Sequence, residues 1–147
     1  MFTLTDQTID CVTRAESLRD PGAGALVTFE GWVRNVNEGK TVTALEYEAY
    51  VKLAEREGQT ILDEAKQHVP ILRAACVHRT GHLAIGDVAV WVGVACAHRD
   101  AAYKANRFII DEVKRRLPIW KREHYADGSA EWVSCQECAR HVNPLAS

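Results

Sequence analysis

The densest run of side chains able to do chemistry is Lys114-Arg-Arg-Leu-Pro-Ile-Trp-Lys-Arg122, with two lysines on either side of a proline. Pro118 cannot continue a helix and pushes the residue before it into extended backbone, so Lys114 and Lys121 must lie on different elements. Ile119 and Trp120 set Lys121 beside apolar surface, where an ammonium loses part of its stabilisation and the side chain can serve as an acid or base. The same run also reads as a cationic helix C-terminus that complements the helix dipole and holds no ligand. Spacing alone leaves both readings open.

A second feature is Ala97-His98-Arg99-Asp100 at the entrance to a helix. Unpaired backbone N–H groups and the positive end of the dipole make such an entrance a seat for phosphate, and Arg99 could add a bidentate clamp. Asp100 as a simple cap with solvated neighbours is the alternative. Phe29, Gly31 and Arg34 occupy a strand end, from which Arg34 could reach an anion or simply sit at the surface.

Cys135 and Cys138, with His141 close behind, form a single CxxC. Two thiols supply half of an ordinary zinc site and no second CxxC completes it, so no metal is expected. The five cysteines are an odd set, and Cys76 and Cys96 fall in apolar runs where a reduced thiol packs as a small hydrophobe. No disulfide framework is expected. The chain also lacks a Ser-His-Asp arrangement, a Walker loop and a dinucleotide glycine pattern.

The elements that must position these groups follow from periodicity. Thr5 to Leu18 reads as a short helix with Asp6 near its start and Ile9 and Val12 on one face, ended by Asp20-Pro21-Gly22. Gly24 to Arg34 and Thr41 to Ala49 alternate as strands, and the polar loop Asn35 to Lys40 between them suggests a hairpin. A helix from Val51 to Gln67 buries Ala54, Gly58, Ile61, Leu62 and Ala65 and stops at Pro70. Strands at Ile71 to His78 and Asp87 to Ala97 flank a Gly81 to Gly86 turn. The last helix begins with Asp100 as N-cap, buries Ala102, Ala105, Ile109 and Val113, and ends by Leu117. A short strand near Glu131 to Ser134 closes the order, which predicts an α+β domain with a largely antiparallel sheet and three main helices.

One domain is expected, residues 1–147, since 147 residues with 47% hydrophobic and 26% charged content suit a single core. A net charge of −2 argues against broad nucleic-acid binding, so any anion site must be local. No apolar run approaches a membrane span and the first residues carry no leader pattern, which points to the cytosol.

Arg99 and Lys114 lie 15 residues apart at opposite ends of one helix. At about 1.5 Å per residue their backbones stand roughly 22 Å apart, too far for one small ligand. If both serve one site, a second copy of the chain must supply one of them across a two-fold interface. A homodimer with composite sites is the expectation.

Several separated motifs then converge on one family. Phe29-Glu-Gly-Trp-Val-Arg34, Leu45-Glu-Tyr-Glu-Ala-Tyr50, His78-Arg-Thr-Gly81, His98-Arg99 and Leu117-Pro-Ile-Trp-Lys-Arg-Glu123, followed by Asp127-Gly128 and Trp132-Val133, together resemble the molybdopterin synthase large subunit over Gly24 to Val133. The resemblance implies an α/β hammerhead fold and a homodimer at the centre of a heterotetramer. Each end binds a small ubiquitin-like partner whose C-terminal Gly-Gly carries a thiocarboxylate. The implied substrate is cyclic pyranopterin monophosphate (precursor Z), which gains two sulfurs to form the dithiolene of molybdopterin. On the family pattern Lys114 and Lys121 match catalytic lysines, Arg34, His98 and Arg99 match positions that hold the pterin phosphate, and Phe29 matches a pocket wall. No cofactor is implied. Beyond Val133 the chain departs from the family's usual polar, charged tail, and residues 134–147 are a divergent end in which Arg140 is the one candidate replacement.

Because sulfur arrives on the partner, the large subunit needs no nucleophilic cysteine; its tasks are positioning, charge stabilisation and proton transfer. Lys114 would stabilise developing charge at the acyl carbon and Lys121 would assist proton transfer. Two other classes stay open on residues alone. One is a non-catalytic module that binds a phosphorylated small molecule or the ubiquitin-like tail in the same basic pocket; the other is a sulfurtransferase that carries persulfide on Cys135 or Cys138.

Overall fold

The computed structural model describes residues 1–134, so Cys135, Cys138, Arg140 and His141 lie outside the described residues. The element order is β1 (Phe2–Thr5), α1 (Cys11–Glu16), β2 (Ala25–Trp32), β3 (Val36–Asn37), β4 (Lys40–Ala49), α2 (Val51–His68), β5 (Ile71–Arg79), β6 (Gly81–Ala84), β7 (Val88–Cys96), α3 (Arg99–Arg116), β8 (Ile119–Tyr125) and β9 (Ala130–Ser134). The expected class, α+β with three helices and mostly antiparallel strands, is the one observed. One sheet has the order β1-β5-β7-β2, with β1 parallel to β5 and the rest antiparallel. The second runs β3-β4-β8-β9, with β6 also on β4.

Strand β7, Val-Ala-Val-Trp-Val-Gly-Val-Ala-Cys, is central and buried from Ala89 onward, as its unbroken apolar run requires. Helices α2 and α3 cover one face of that sheet through the small and branched residues foreseen from their spacing: Ala54, Gly58, Ile61, Leu62 and Ala65 on α2, and Ala102, Ala105, Ile109 and Val113 on α3. Asn106 is the polar exception, and its amide donates to the carbonyls of Val27 (3.0 Å) and Val92 (3.2 Å), pinning α3 across β2 and β7. On the opposite face α1 lies over a smaller cluster of Ile9, Leu18, Val77, Trp91 and Ala95. Cys76 and Cys96 are reduced and fully buried. Among the described residues no helix is long and apolar enough to cross a membrane.

The first helix is shorter than its pattern suggests and differently placed. Asp10, not Asp6, caps it, accepting from the Thr13 N–H at 3.1 Å, and Val12 is 76% exposed. Thr5 closes β1 instead, because Phe2 packs onto Gly58 of α2, where an added Cβ would collide with the ring. That contact is remote in sequence and leaves no local trace.

Nor do β2 and β4 form a hairpin. β2 pairs with β7, while β4 folds back on β3 through Glu38 (φ 49°) and Gly39 (φ 79°), a two-residue turn with both residues left-handed. Two polar residues of strand are too few to show a period. The Gly81 to Gly86 turn contains β6, and α3 begins one residue early, at Arg99, with His98 in the cap position and Asp100 in its first turn, 2.9 Å from Lys104.

Candidate active site

After Leu117, held extended by Pro118, the chain reverses into β8 and pairs with β4 in a register that sets Lys121 opposite Tyr47 and Glu123 opposite Leu45. Alternation then sends Ile119, Lys121, Glu123 and Tyr125 to one face, toward the end of α3, and Trp120, Arg122 and His124 to the other. Lys114, in the last turn of α3, meets Lys121 in a cavity of about 250 Å³. Its walls also carry Arg34, Trp32, Asn37, Tyr47 and Glu123. Three cations therefore share one concave site.

The basic run divides into different roles. Arg116 bridges α3 to α2, with its guanidinium 2.6 Å from Glu57 and 2.6 Å from Glu64, and those carboxylates raise its pKa further. Arg115 pairs with Glu112 at 2.6 Å. Lys114 has no ion pair among the described residues, and neither has Arg34. A purely structural, dipole-capping account covers the two arginines and leaves Lys114 unexplained.

Beside Ile119 and Trp120, Lys121 also has a carboxylate partner. Its ammonium lies 3.1 Å from Glu123 Oε1. Glu123 is only 2% exposed; burial alone would raise its pKa, but donation from Asn37 Nδ2 (2.9 Å to each oxygen), Tyr125 OH (2.8 Å) and Lys121 outweighs that and holds the carboxyl below its ordinary range. Tyr125 is pushed up to about 12, chiefly by the same hydrogen bond. The pocket floor is thus a fixed anion with a lysine tethered to it, beside two cations, Lys114 and Arg34, that have no ion pair among the described residues. An anionic ligand fits that arrangement, and a developing negative charge would be stabilised there.

Comparison with known proteins shows the family. The family model described as MoaE protein matches residues 4–116. The chain belongs to the MoaE family. It is 44% identical over 129 residues to the molybdopterin synthase catalytic subunit of Thermoplasma volcanium, covering 88% of this chain and 94% of that one. It is 46% identical over 114 residues to the catalytic subunit of Escherichia coli, covering 78% and 75%. Among solved structures, molybdopterin synthase from Staphylococcus aureus superposes with a TM-score of 0.84 at 36% identity, over 88% of this chain and 94% of that chain. A complex of subunits 1 and 2 of the molybdopterin-converting factor of Helicobacter pylori shares the fold at a TM-score of 0.73 and 18% identity, over 92% and 90%.

Within this MoaE chain the other expected site residues stand apart from the cavity. His98 and Arg99 are exposed at the opposite end of α3 from Lys114. Phe29 is half-buried on β2 against the main core and does not line the cavity. One protomer brings together Lys114, Lys121 and Arg34 only. A larger cavity of about 480 Å³ lies between the end of α1 and the start of β2, but its charged groups are committed: Arg19 to Glu16 at 2.8 Å and Asp20 to Arg73 at 3.4 Å.

Sequence reasoning missed Glu123, Asn37 and Tyr47. Glu123 was visible only inside the basic motif; the alternation Lys121-x-Glu123 would have placed it beside Lys121 had β8 been recognised as a strand. Asn37 sits in a two-residue strand and carries no local signal.

Proposed function

We propose that this chain is the large subunit of a molybdopterin synthase and that the Lys114–Lys121–Arg34 cavity is where sulfur passes from the thiocarboxylate of a small ubiquitin-like protein to cyclic pyranopterin monophosphate. The observation that carries the reading is the meeting of Lys114, from α3, with Lys121, from β8, in one cavity of a protein whose relatives are catalytic subunits. Extended, the partner's Gly-Gly tail is thin enough to bring its terminal carbonyl to such a pocket. Lys114 stabilises the oxyanion that forms there, and Lys121, carrying its proton in the pair with Glu123, supplies a proton as sulfur adds and the cyclic phosphate opens. Two charged partners are consumed in turn for each dithiolene. The chain works as one domain, in the cytoplasm, without a metal or cofactor of its own.

Arg34 supplies one phosphate contact from within the protomer. His98 and Arg99 supply others from a second copy, because the length of α3 keeps them from the cavity of their own chain. Phe29 walls the site in that dimer, and the dimer is the centre of a heterotetramer.

Single-turnover sulfur transfer from a thiocarboxylated partner tests this. Lys114→Ala and Lys121→Ala retain binding of the cyclic phosphate while product formation falls about 100- to 10,000-fold, the range for a lost proton donor or charge stabiliser. Wild-type turnover in both variants overturns the proposal. A Cys135→Ser, Cys138→Ser double variant keeps its activity; loss there would move sulfur carriage onto those thiols.

A further inference from the structure

Behind the main cavity, on the inner side of Lys114, lies a small void of about 10 Å³ lined by His78, Val90, Ile110, Val113, Lys114 and Ile119. The other four walls are aliphatic, so His78 and Lys114 supply its polar groups. A space of about 10 Å³ seats one water, provided that polar partners hold it. His78 is 4% exposed on β5, where strand pairing sets it opposite Val90 of β7. The Tyr47 ring meets it edge-on, 5.1 Å between centroids at 73°, so its plane is fixed by packing.

The tautomer follows from the neighbours. His78 Nδ1 lies 2.9 Å from the Arg79 carbonyl oxygen, which can only accept, so Nδ1 carries the hydrogen. Nε2 is then an acceptor, and His78 makes no other hydrogen bond with the described residues. Burial, reinforced by the charge of Lys114 and only partly countered by the Arg79 carbonyl, lowers its pKa to about 4. Near neutral pH the ring is therefore a fixed neutral dipole, unable to keep a proton taken from elsewhere.

We propose that His78 is a positioning residue for Lys114: its Nε2 accepts a hydrogen bond from one water seated in the shared void, that water accepts from the Lys114 ammonium, and the bridge sets where the ammonium stands in the main cavity. Lys114 and Arg122 are the two cations of the basic run unmatched by a carboxylate among the described residues, and Arg122 stands on the other face of β8 over the Trp132 ring, so no carboxylate orients Lys114. The inference rests on the catalytic reading of Lys114 given above. It adds that the precision of this lysine comes from β5, an element that contributes nothing to the walls of the main cavity.

Three variants separate the two ring nitrogens. Asn places an amide near Nδ1, Gln places one near Nε2, and Phe keeps the shape without either. Each is measured for kcat and KM in sulfur transfer, for thermal unfolding, and for the rate at which Lys114 is acetylated by limiting acetic anhydride relative to exposed Lys52, read by mass spectrometry. His78→Gln is expected to stay within about threefold of wild type in kcat, whereas His78→Asn and His78→Phe lose roughly 10- to 100-fold at unchanged KM, as expected for a displaced catalytic group. Acetylation of Lys114 rises several-fold in the same two variants. Rescue by Asn and not by Gln would make the ring a brace acting through Nδ1 and overturn the proposal, as would unchanged acetylation and kcat in His78→Asn. Altered acetylation in a protein whose Lys114→Ala form still turns over would leave the His78 bridge standing and remove the catalytic reading instead.

Discussion

The Lys121 ammonium is tethered to Glu123 Oε1 at 3.1 Å, and the carboxylate that holds it is buried beneath the pocket with donors from Asn37 and Tyr125 on the same two oxygens. Three donors on one anion leave no room for a neutral substitute. In Glu123→Gln one acceptor oxygen becomes an NH₂ that faces donors, and the partly buried lysine loses its counter-charge. The expected cost is about 2–4 kcal/mol of folding stability, with a loss of activity beyond what the unfolded fraction explains. Urea denaturation and kcat measured on the folded fraction check it. An unchanged midpoint would mean that Lys121 is anchored by something else.

Two residues of the basic run, Arg116 and Lys114, should respond oppositely to truncation. Arg116→Ala strands Glu57 and Glu64 against each other at the α2–α3 seam and removes charge-assisted bonds, so it should lower stability by about 1–3 kcal/mol while kcat of the folded protein holds. Lys114→Ala breaks no ion pair among the described residues. Its midpoint should stay within about 0.5 kcal/mol of wild type while turnover collapses. Equal stability loss in both variants would return Lys114 to a structural role.

His78 gives stability a pH dependence of defined sign. Its folded pKa of about 4 lies below the ordinary histidine value of 6.5, so between those values the unfolded chain binds the extra proton. Stability then rises with pH across that window: it is fully present above 6.5 and is lost as pH falls toward 4. A shift of that size corresponds to about 3 kcal/mol. Glu123 adds to the loss at lower pH, since a carboxyl held below its ordinary range contributes stability that disappears as pH falls through its folded pKa. Subtracting the pH profile of His78→Phe from that of wild type isolates the histidine. A difference curve that is flat from pH 4 to 6.5 would show that the ring charges freely in the fold.

What the sequence disclosed of this site follows from where its information is local. The five buried positions of α2 and four of the six on α3 were readable because they recur every three or four, and Pro118 told that Lys114 and Lys121 belong to different elements. That they meet was not readable, since it depends on β8 pairing with β4 across the whole second half of the chain, and the run Ile-Trp-Lys-Arg-Glu-His-Tyr looks polar until the pairing shows which face each residue takes. The parallel strand β1 was hidden for a similar reason: Phe2 earns its place from Gly58, and no window spans both. The position of Arg99 away from the cavity agrees with the helix-length reasoning that set it roughly 22 Å from Lys114, whereas the distance of Phe29, on β2, had no such forewarning. Family resemblance supplied their roles, and only a second protomer could bring Arg99 to this cavity.

That last dependence can be tested without a new structure. If Arg99 acts on the cavity of the neighbouring copy, Lys114→Ala and Arg99→Ala each ruin both sites of a homodimer. A mixed dimer of the two distributes the defects differently: one site carries both substitutions, and the other carries neither. Unfolding and refolding the two inactive proteins together at equal concentration should therefore restore about a quarter of wild-type activity, because half of the dimers are mixed and one of their two sites is intact. Mixing without refolding is the control for subunit exchange. If Arg99 instead served its own chain, each mixed dimer would hold one site of each defective kind and no activity would return, and the composite site would have to be abandoned whatever the oligomeric state.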